Sequence, residues 1–250
     1  MKRRLISTIS FIVLLIIWLI ISYGMQVKEI FLPSPLSVLK AFRDMYFVEG
    51  IMEDLWASLS RILGGFILAM LIAIPLGMLM GISGTASAMF EPLISFIRYM
   101  PASAFIPMFI IWFGLGEIEK MAVIFYGTFF YLTLMVMDVA KNVDETLIEA
   151  SKTLGFNKFQ LFTKVIFRAS MPGIVDALRT CFGAAWTYLI IAEIVGADSG
   201  LGYMIQNSSR YLKTNRMFVG IITIGLLGLI SDKLFELFSK KVFAYQNKNK

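Results

Sequence analysis

Long apolar segments alternate with shorter polar ones along the chain. An α-helix needs about 20 apolar residues to cross the roughly 30 Å hydrocarbon core of a bilayer. Segments near that length predict six membrane-spanning helices, at residues 5–23, 61–82, 95–114, 119–138, 174–196 and 217–238. Repeats and low-complexity stretches are absent. The pattern therefore predicts an all-α, polytopic membrane protein with a single transmembrane domain over residues 1–250 and a core at 55–240.

Composition supports this prediction and removes several classes of protein. Hydrophobic residues make up 58% of the chain, charged residues only 16%, and the mean hydropathy is +0.77. The net charge of +6 comes mostly from cations beside apolar segments, which indicates lipid contact and topology rather than nucleic-acid binding. The chain has no His, a single cysteine (Cys181) and no G-x-x-x-x-G-K-[ST] loop. We therefore expect no metal, no cofactor and no ATPase site in this chain.

The distribution of cations predicts the orientation in the membrane. Cytoplasmic loops carry an excess of Lys and Arg, which places both termini and the polar segment 140–172 in the cytoplasm. The apolar run after "MKRR" is long and lacks a cleavage site, so it is predicted to be an uncleaved first helix. The cations on the cytoplasmic side are Lys2, Arg3, Arg4, Lys141, Lys152, Lys158, Lys164, Arg168, Lys240, Lys241, Lys248 and Lys250. Arg210, Lys213 and Arg216 lie on the opposite side.

Residues 140–172 have the signals of two short helices joined by a turn. Asn142 with Glu145, and Asn157 with Gln160, match the spacing of helix N-caps. Gly155 between them is suited to ending a helix, because glycine readily adopts a positive φ. The second helix is rich in phenylalanine and flanked by lysines. These features favour either an amphipathic hairpin on lipid headgroups or a docking element for a soluble partner.

Several motifs in this chain resemble a known family. "EASKTLG" (149–155), followed by "VIFRASMPGI" (165–174), resembles the EAA loop of ABC importer permeases. Ser151 replaces the second alanine of that pattern, and Phe167-Arg168 replaces its Leu-Pro. "LPSP" (32–35), "EPLISFIRYMPASAFIPMFIIWFGLGE" (91–117) and "GADSGLGYMI" (196–205) are similar to the nitrate, sulfonate and taurine branch.

The resemblance implies a fold, partners and a coupling site. The fold would be the MetI-like transmembrane domain of a type I importer, working as a homodimer. Its partners would be two cytoplasmic ATP-binding cassette ATPase subunits, which hydrolyse the ATP, and an extracytoplasmic solute-binding protein. The loop would insert into a groove of the ATPase. The coupling residues would then be Glu149, Ala150, Ser151, Leu154, Gly155 and Phe156.

Charged residues inside the spans are candidates for the solute path, since such residues are energetically expensive. Arg98 precedes Pro101 and Pro107, which can interrupt the helix, and it would meet an anionic substrate or extend to the membrane surface. Glu193 would face a neighbouring helix or the path. Asp176 and Arg179, three residues apart, can pair with each other. The candidate path residues are thus Arg98, Pro101 and Glu193.

The sequence leaves the substrate open. The resemblance favours nitrate, a sulfonate, taurine or a similar small anion. Related permeases import neutral pyrimidine or thiamine precursors or riboflavin, so such a compound is the alternative. An ion-coupled secondary transporter would instead show internal repeats and paired intramembrane acids, which this sequence lacks. A membrane scaffold would need neither proline-broken spans nor a docking loop.

Overall fold

The computed structural model describes residues 2–25 and 27–243, with side chains except at residues 2–8 and Glu49. Regular elements in these ranges are all helical, as the sequence predicts. The helices are α1 (Lys2–Leu19), α2 (Pro35–Asp44), α3 (Met52–Ile82), α4 (Gly84–Arg98), α5 (Ala102–Phe113), α6 (Glu117–Lys141), α7 (Glu145–Thr153), α8 (Lys158–Gln160), α9 (Phe167–Gly196), α10 (Leu201–Arg210) and α11 (Thr214–Val242). Short π-helical segments follow α1 (Ile20–Gly24), α2 (Met45–Glu49) and α8 (Leu161–Ile166).

Four helical segments are long and apolar enough to cross a bilayer. They correspond to the second, fourth, fifth and sixth predicted spans and are Met52–Ile82, Glu117–Lys141, Lys158–Gly196 and Thr214–Val242. At the first predicted span the apolar helix Ile9–Gly24 is shorter than these four. The predicted cytoplasmic cations Lys248 and Lys250 lie outside the described residues.

The predicted span at 95–114 is interrupted at Pro101, one of the two prolines predicted to be able to break it. Helices α4 and α5 meet there at a bend of 96°. Pro101 directly precedes α5 with an extended backbone (φ −63°, ψ 128°), because proline cannot donate the backbone hydrogen bond that a continuous helix requires. Pro107 remains inside α5. Counted as one broken span, the pair raises the candidate spans of the described chain to five.

The chain forms two compact units, and the first contains residues 1–58 and 198–226. Within it, the Trp18 indole stacks on Phe218 at 5.8 Å and donates to the Pro33 carbonyl at 3.0 Å. The start of α10 is held by two side chains of α3. The Gly200 amide donates to Asp54 at 2.7 Å, and the Leu201 amide donates to the Ser58 hydroxyl at 2.8 Å. These bonds satisfy amides that a helix leaves without intrahelical partners.

The second unit contains residues 59–197 and 227–250. Helix α6 is its central element and packs against α3, α4, α5 and α9. Gly77 and Gly81 lie where α3 approaches α6 most closely. A Cβ at Gly77 would lie 2.5 Å from the Thr133 carbonyl oxygen, and a Cβ at Gly81 would lie 2.5 Å from the Ala140 Cβ. Small residues thus let α3 and α6 approach closely.

The second helix of the loop 140–172 does not end within the loop. Residues 158–196 form one helical segment, in which Leu161–Ile166 is π-helical and Pro172 is accommodated inside α9. The prediction of two separate short helices is therefore wrong for the second one. The turn at Gly155 instead joins the short helix α7 directly to the start of a membrane-spanning segment. Movement of α7 can consequently be transmitted to that segment without an intervening flexible loop.

Candidate coupling surface and solute path

Gly155 forms the turn between α7 and the helical segment 158–196. Its φ of +79° is in the left-handed region, and a Cβ there would have no atom within 4 Å. The Gly155 amide donates to the Lys152 carbonyl at 2.9 Å, and the Phe156 amide donates to the Ser151 carbonyl at 3.1 Å. This pair of bonds is a Schellman motif, which satisfies the last carbonyls of a helix. The backbone angle is therefore the reason for glycine at this position.

Two large apolar side chains project from either side of this turn. Leu154 is 75% exposed and Phe159 is 74% exposed, whereas the Phe156 ring is half-buried with the Lys164 ammonium 5.9 Å from its centre. Glu149 and Ala150 are exposed on α7. We name this set the coupling surface, and its members are Glu149, Ala150, Leu154, Gly155 and Phe159. Phe159 is a more exposed apolar candidate than the predicted Phe156.

Ser151 has an intrahelical role. Its side chain is buried, and its hydroxyl donates to the Leu147 carbonyl at 2.7 Å. A small residue fits this buried position, and the hydroxyl that distinguishes serine from alanine is satisfied by the helix itself. Replacement of the family's alanine by Ser151 therefore leaves the exposed face of α7 unchanged.

The helix caps observed in the loop match the predicted caps only in part. The predicted capping box of Asn157 and Gln160 is confirmed, with bonds of 2.8 and 3.1 Å. The predicted cap at Asn142 is wrong, because its side chain donates to the Asp138 carbonyl at the end of α6. Asp144 caps α7 by accepting from the Thr146 amide at 2.9 Å and hydroxyl at 2.7 Å. The Thr146 hydroxyl and amide hold the Asp144 pKa below its ordinary value.

A buried ion network joins α3, α6 and α9 at their ends remote from the coupling surface. Arg61, which is 1% exposed, donates to both oxygens of Glu117 at 2.6 Å. It also donates to Glu193 at 2.9 Å. Glu193 is 1% exposed, whereas the Glu117 side chain is 53% exposed. Glu193 thus faces a neighbouring helix, as one of the two alternatives expects. Its predicted role in the path stays a prediction.

Arg98 is the last residue of α4 and lies at the bend before α5. Its guanidinium carbon is 4.9 Å from the ring centre of Tyr99 and 5.9 Å from that of Tyr131. Tyr131 lies near the middle of α6. Arg98 is therefore level with the middle of α6, and its predicted role in the solute path stays a prediction.

Two adjoining cavities lie along α6 and α9, and the narrower one also borders the bend between α4 and α5. A narrow one contains Arg98, a wider one contains Cys181, and both include Gly127, Tyr131 and Tyr188. The lining residues of neither cavity include Glu193 or Pro101. The structure therefore does not bring together the three predicted path residues.

Arg179 does not pair with Asp176 as predicted. Its guanidinium donates to both carboxylate oxygens of Asp232 in α11, at 2.5 and 2.7 Å. A bidentate pair of this kind is stronger than an exposed pair between neighbouring turns of one helix. Asp232 therefore links α9 to α11 across 53 positions of sequence.

Comparison with known proteins identifies the family. A family model described as "Binding-protein-dependent transport system inner membrane component" matches residues 73–244. The chain belongs to this family. It is the permease subunit of an ABC importer, and the family implies ATPase and binding-protein partners. The resemblance inferred from the sequence motifs is confirmed.

Several relatives of the permease are named for the solutes that they transport. The putative aliphatic sulfonates transport permease protein SsuC of Bacillus subtilis is 31% identical over 94% of this chain and 85% of its own length. The taurine transport system permease protein TauC of Escherichia coli is 32% identical over 88% and 82%. The bicarbonate transport system permease protein CmpB of Synechococcus elongatus is 27% identical over 88% and 82%.

The fold of the permease also matches solved structures. An inward-facing structure of the MetNI methionine ABC transporter matches with a TM-score of 0.63 and 19% identity, over 74% of this chain and 94% of the matched chain. At this identity the match establishes the fold alone. It confirms the prediction of an all-α transmembrane domain of the MetI-like type.

Three parts of the permease site were not found from the sequence. Arg61 is the first residue of a predicted span, and a cation at that position ordinarily lies at the membrane surface. The sequence therefore gives no sign that Arg61 is buried. The contact of Tyr188 with Gly127 depends on how α6 and α9 pack, and this packing cannot be predicted from a single sequence. Asp232 lies within an apolar segment, where an acid signals an ionic partner, but the sequence does not show that the partner is Arg179.

Proposed function

We propose that the permease works as a homodimer that imports a small anion, driven by ATP hydrolysed on two cytoplasmic ATPase subunits. An extracytoplasmic binding protein delivers the solute. Residues 55–240 act as one permease domain, and both termini lie in the cytoplasm. The excess of Lys and Arg in residues 140–172 and near the C-terminus supports this orientation.

The observation that carries the proposal is the coupling surface beside the Gly155 turn. Two large apolar side chains, Leu154 and Phe159, are about three-quarters exposed there. They are flanked by exposed Glu149, Lys152 and Lys158, so the segment is unsuited to the bilayer core. An exposed apolar tip with a polar rim resembles the centre of a protein interface. Contact with a soluble partner explains this combination, and the family supplies the ATPase as that partner.

The rigid connection at the turn supports the mechanism. Because the Schellman motif fixes α7 relative to the segment 158–196, motion of a docked ATPase passes directly to a membrane-spanning helix. Two such segments in a homodimer would open the path alternately to each side of the membrane. ATP binding and hydrolysis would then set the direction of transport.

Two observations support a small anion as the substrate. The permease is similar to proteins named for transport of aliphatic sulfonates, taurine and bicarbonate. Arg98 is also half-buried and lines a cavity, where a cation favours an anionic solute.

The test of coupling uses two substitutions at Gly155. A Cβ at this position meets no atom within 4 Å, so the two variants are compared for how well they tolerate the backbone angle. Valine resists a positive φ, whereas asparagine tolerates it. We expect Gly155→Val to insert normally but to lose most co-purifying ATPase and most uptake in proteoliposomes, while Gly155→Asn retains both. Normal co-purification and uptake with Gly155→Val would refute the assignment.

The substrate is tested on the partner binding protein, isolated from its own cells with its ligand attached. Native mass spectrometry is expected to detect a sulfonate or an inorganic oxyanion. A neutral heteroaromatic ligand would overturn the proposed substrate class while leaving the coupling mechanism intact.

A further inference from the structure

We infer that the two adjoining cavities along α6 and α9 form the solute-binding site, and that the solute has a small anionic group on a short apolar part. This inference rests on the proposed import of a small anion and adds a binding site to it. The cavities share a wall made by Gly127, Tyr131 and Tyr188. A solute can therefore occupy both at once.

The wider cavity suits a small, weakly polar group. Its volume is about 210 Å³, below the roughly 300–1,000 Å³ of sites that hold drug-sized ligands. The hydroxyls of Thr128 and Thr180 already donate to helix carbonyls, at 2.8 and 2.9 Å. The wall is therefore largely apolar. Its residues are Gly127, Thr128, Tyr131, Met135, Thr180, Cys181, Ala184 and Tyr188.

The narrower cavity has room for a single oxygen of an anionic group whose other atoms lie in the wider cavity. Its volume is about 10 Å³, close to the minimum that holds one water molecule. Arg98 is the only charged residue that lines either cavity in the described chain. Its Nε is buried and has no hydrogen-bond partner among the described residues. An anionic oxygen placed there would satisfy a donor that is otherwise costly to bury.

The surrounding helices hold this arrangement in place. A Cβ at Gly127 would lie 2.5 Å from the Tyr188 ring, so the absence of a side chain lets that ring lie against α6. The Tyr126 hydroxyl donates to the Ile97 carbonyl at 3.3 Å, which ties α6 to the end of α4 beside Arg98. The site is thus formed by packing of the helices rather than by a surface loop.

The chain contains one cysteine, and it lines the wider cavity. Thiol-reactive probes therefore report on this cavity alone within the permease. We choose two methanethiosulfonate reagents of similar size, one with an ethylsulfonate and one with an ethyltrimethylammonium group. Each is added to the purified permease and ATPase complex in proteoliposomes, with and without ATP. Intact-mass spectrometry of the permease chain follows modification of Cys181.

The sulfonate reagent is expected to react about ten-fold faster than the cationic one, because Arg98 attracts the anion. Arg98→Gln should abolish this preference, and Arg98→Lys should keep it. Arg168→Gln is the matched control, since Arg168 is exposed and lines neither cavity. Equal rates in the unmodified permease, or no reaction with either reagent, would overturn the inference, because a solute site must admit an anion from water.

A second pair of variants guards against misfolding at Arg98. Ala184→Phe fills the wider cavity and should slow modification of Cys181 and uptake of ethanesulfonate at least about ten-fold. Ala169→Phe, at an exposed position of α9 outside both cavities, is the control for the labelling rate. Labelling needs no ATPase coupling, so failure of the Gly155 experiment leaves this test intact. Unchanged labelling in Ala184→Phe would contradict the assigned cavity even where coupling is confirmed.

Discussion

Removal of Arg61 should destabilise the permease more than any other single change in the ion network. Arg61→Met replaces the guanidinium with an apolar side chain and leaves the buried Glu193 carboxylate without that partner. Breaking a buried ion pair by removing one member costs about 3–5 kcal/mol. Glu117 contributes little to this cost, because its half-exposed side chain regains water.

The geometry predicts an order among the single variants. Glu193→Met leaves Arg61 bound to both oxygens of Glu117, so its cost should be smaller, about 1–3 kcal/mol. Glu117→Gln should cost no more than about 1 kcal/mol, because the pair it weakens is partly solvated. The double variant Arg61→Met with Glu193→Met should recover much of the loss, since apolar residues can replace a buried pair at little cost.

Equilibrium unfolding in mixed micelles by sodium dodecyl sulfate, followed by tryptophan fluorescence, measures these free energies. The unmodified permease, Arg61→Met, Glu193→Met and their double variant form a double-mutant cycle, and Glu117→Gln is measured beside it. Arg61→Met within about 0.5 kcal/mol of the unmodified permease would refute the reasoning. Strict additivity of the Arg61 and Glu193 variants would do so as well, because it would show that the two side chains are not coupled.

Two other predictions concern helix packing and capping. Gly77→Ala should destabilise the permease by about 1–3 kcal/mol, because the new Cβ would meet the Thr133 carbonyl. Gly183→Ala is the control in the same unfolding assay. Its Cβ would have no atom within 4 Å, so this variant should be neutral or stabilising. Asp144→Ala should speed hydrogen exchange of the first amides of α7, and Asp144→Asn should not; a reversed result would contradict the capping assignment. The Asp144 pKa is lower in the folded state than in the unfolded state. The stability that ionised Asp144 gives to the folded protein is therefore complete above the unfolded pKa of about 3.9, and it is lost as the pH falls through the lowered folded-state value.

The sequence was sufficient to predict the helices and the coupling turn because their signals are local. Apolar length located four long spans, and glycine at 155 marked a positive φ. The Asn157 and Gln160 box also followed from spacing alone. The same spacing was misleading at Asn142 because its side chain binds the end of the preceding helix instead. A local pattern thus identifies side chains that could cap a helix. Whether such a side chain binds the end of the preceding helix or the start of the next one depends on the folded geometry.

Contacts between distant residues could not be predicted. Arg61 and Glu193 are separated by 132 positions, and Arg179 and Asp232 by 53. For Arg179 the nearby Asp176 was the natural choice from helix geometry, yet the bidentate geometry with Asp232 is more favourable. The cavity beside Arg98 likewise depends on a missing side chain at Gly127, whose effect appears only when Tyr188 is in place. Long-range pairing is set by tertiary packing, which one sequence does not encode in any local period.

The ion network removes the main objection to an anionic solute. A carboxylate within the spans would repel an anion where water is scarce. Glu193 would therefore oppose the anionic solute that Arg98 favours if both side chains faced the solute. In the structure the Glu193 charge is offset by Arg61 and lies away from the cavity wall. Arg98 is then the charged side chain that a solute in the cavity meets. Neutralising Glu193 should therefore change stability but leave the charge preference of the site unaltered, whereas neutralising Arg98 should do the reverse.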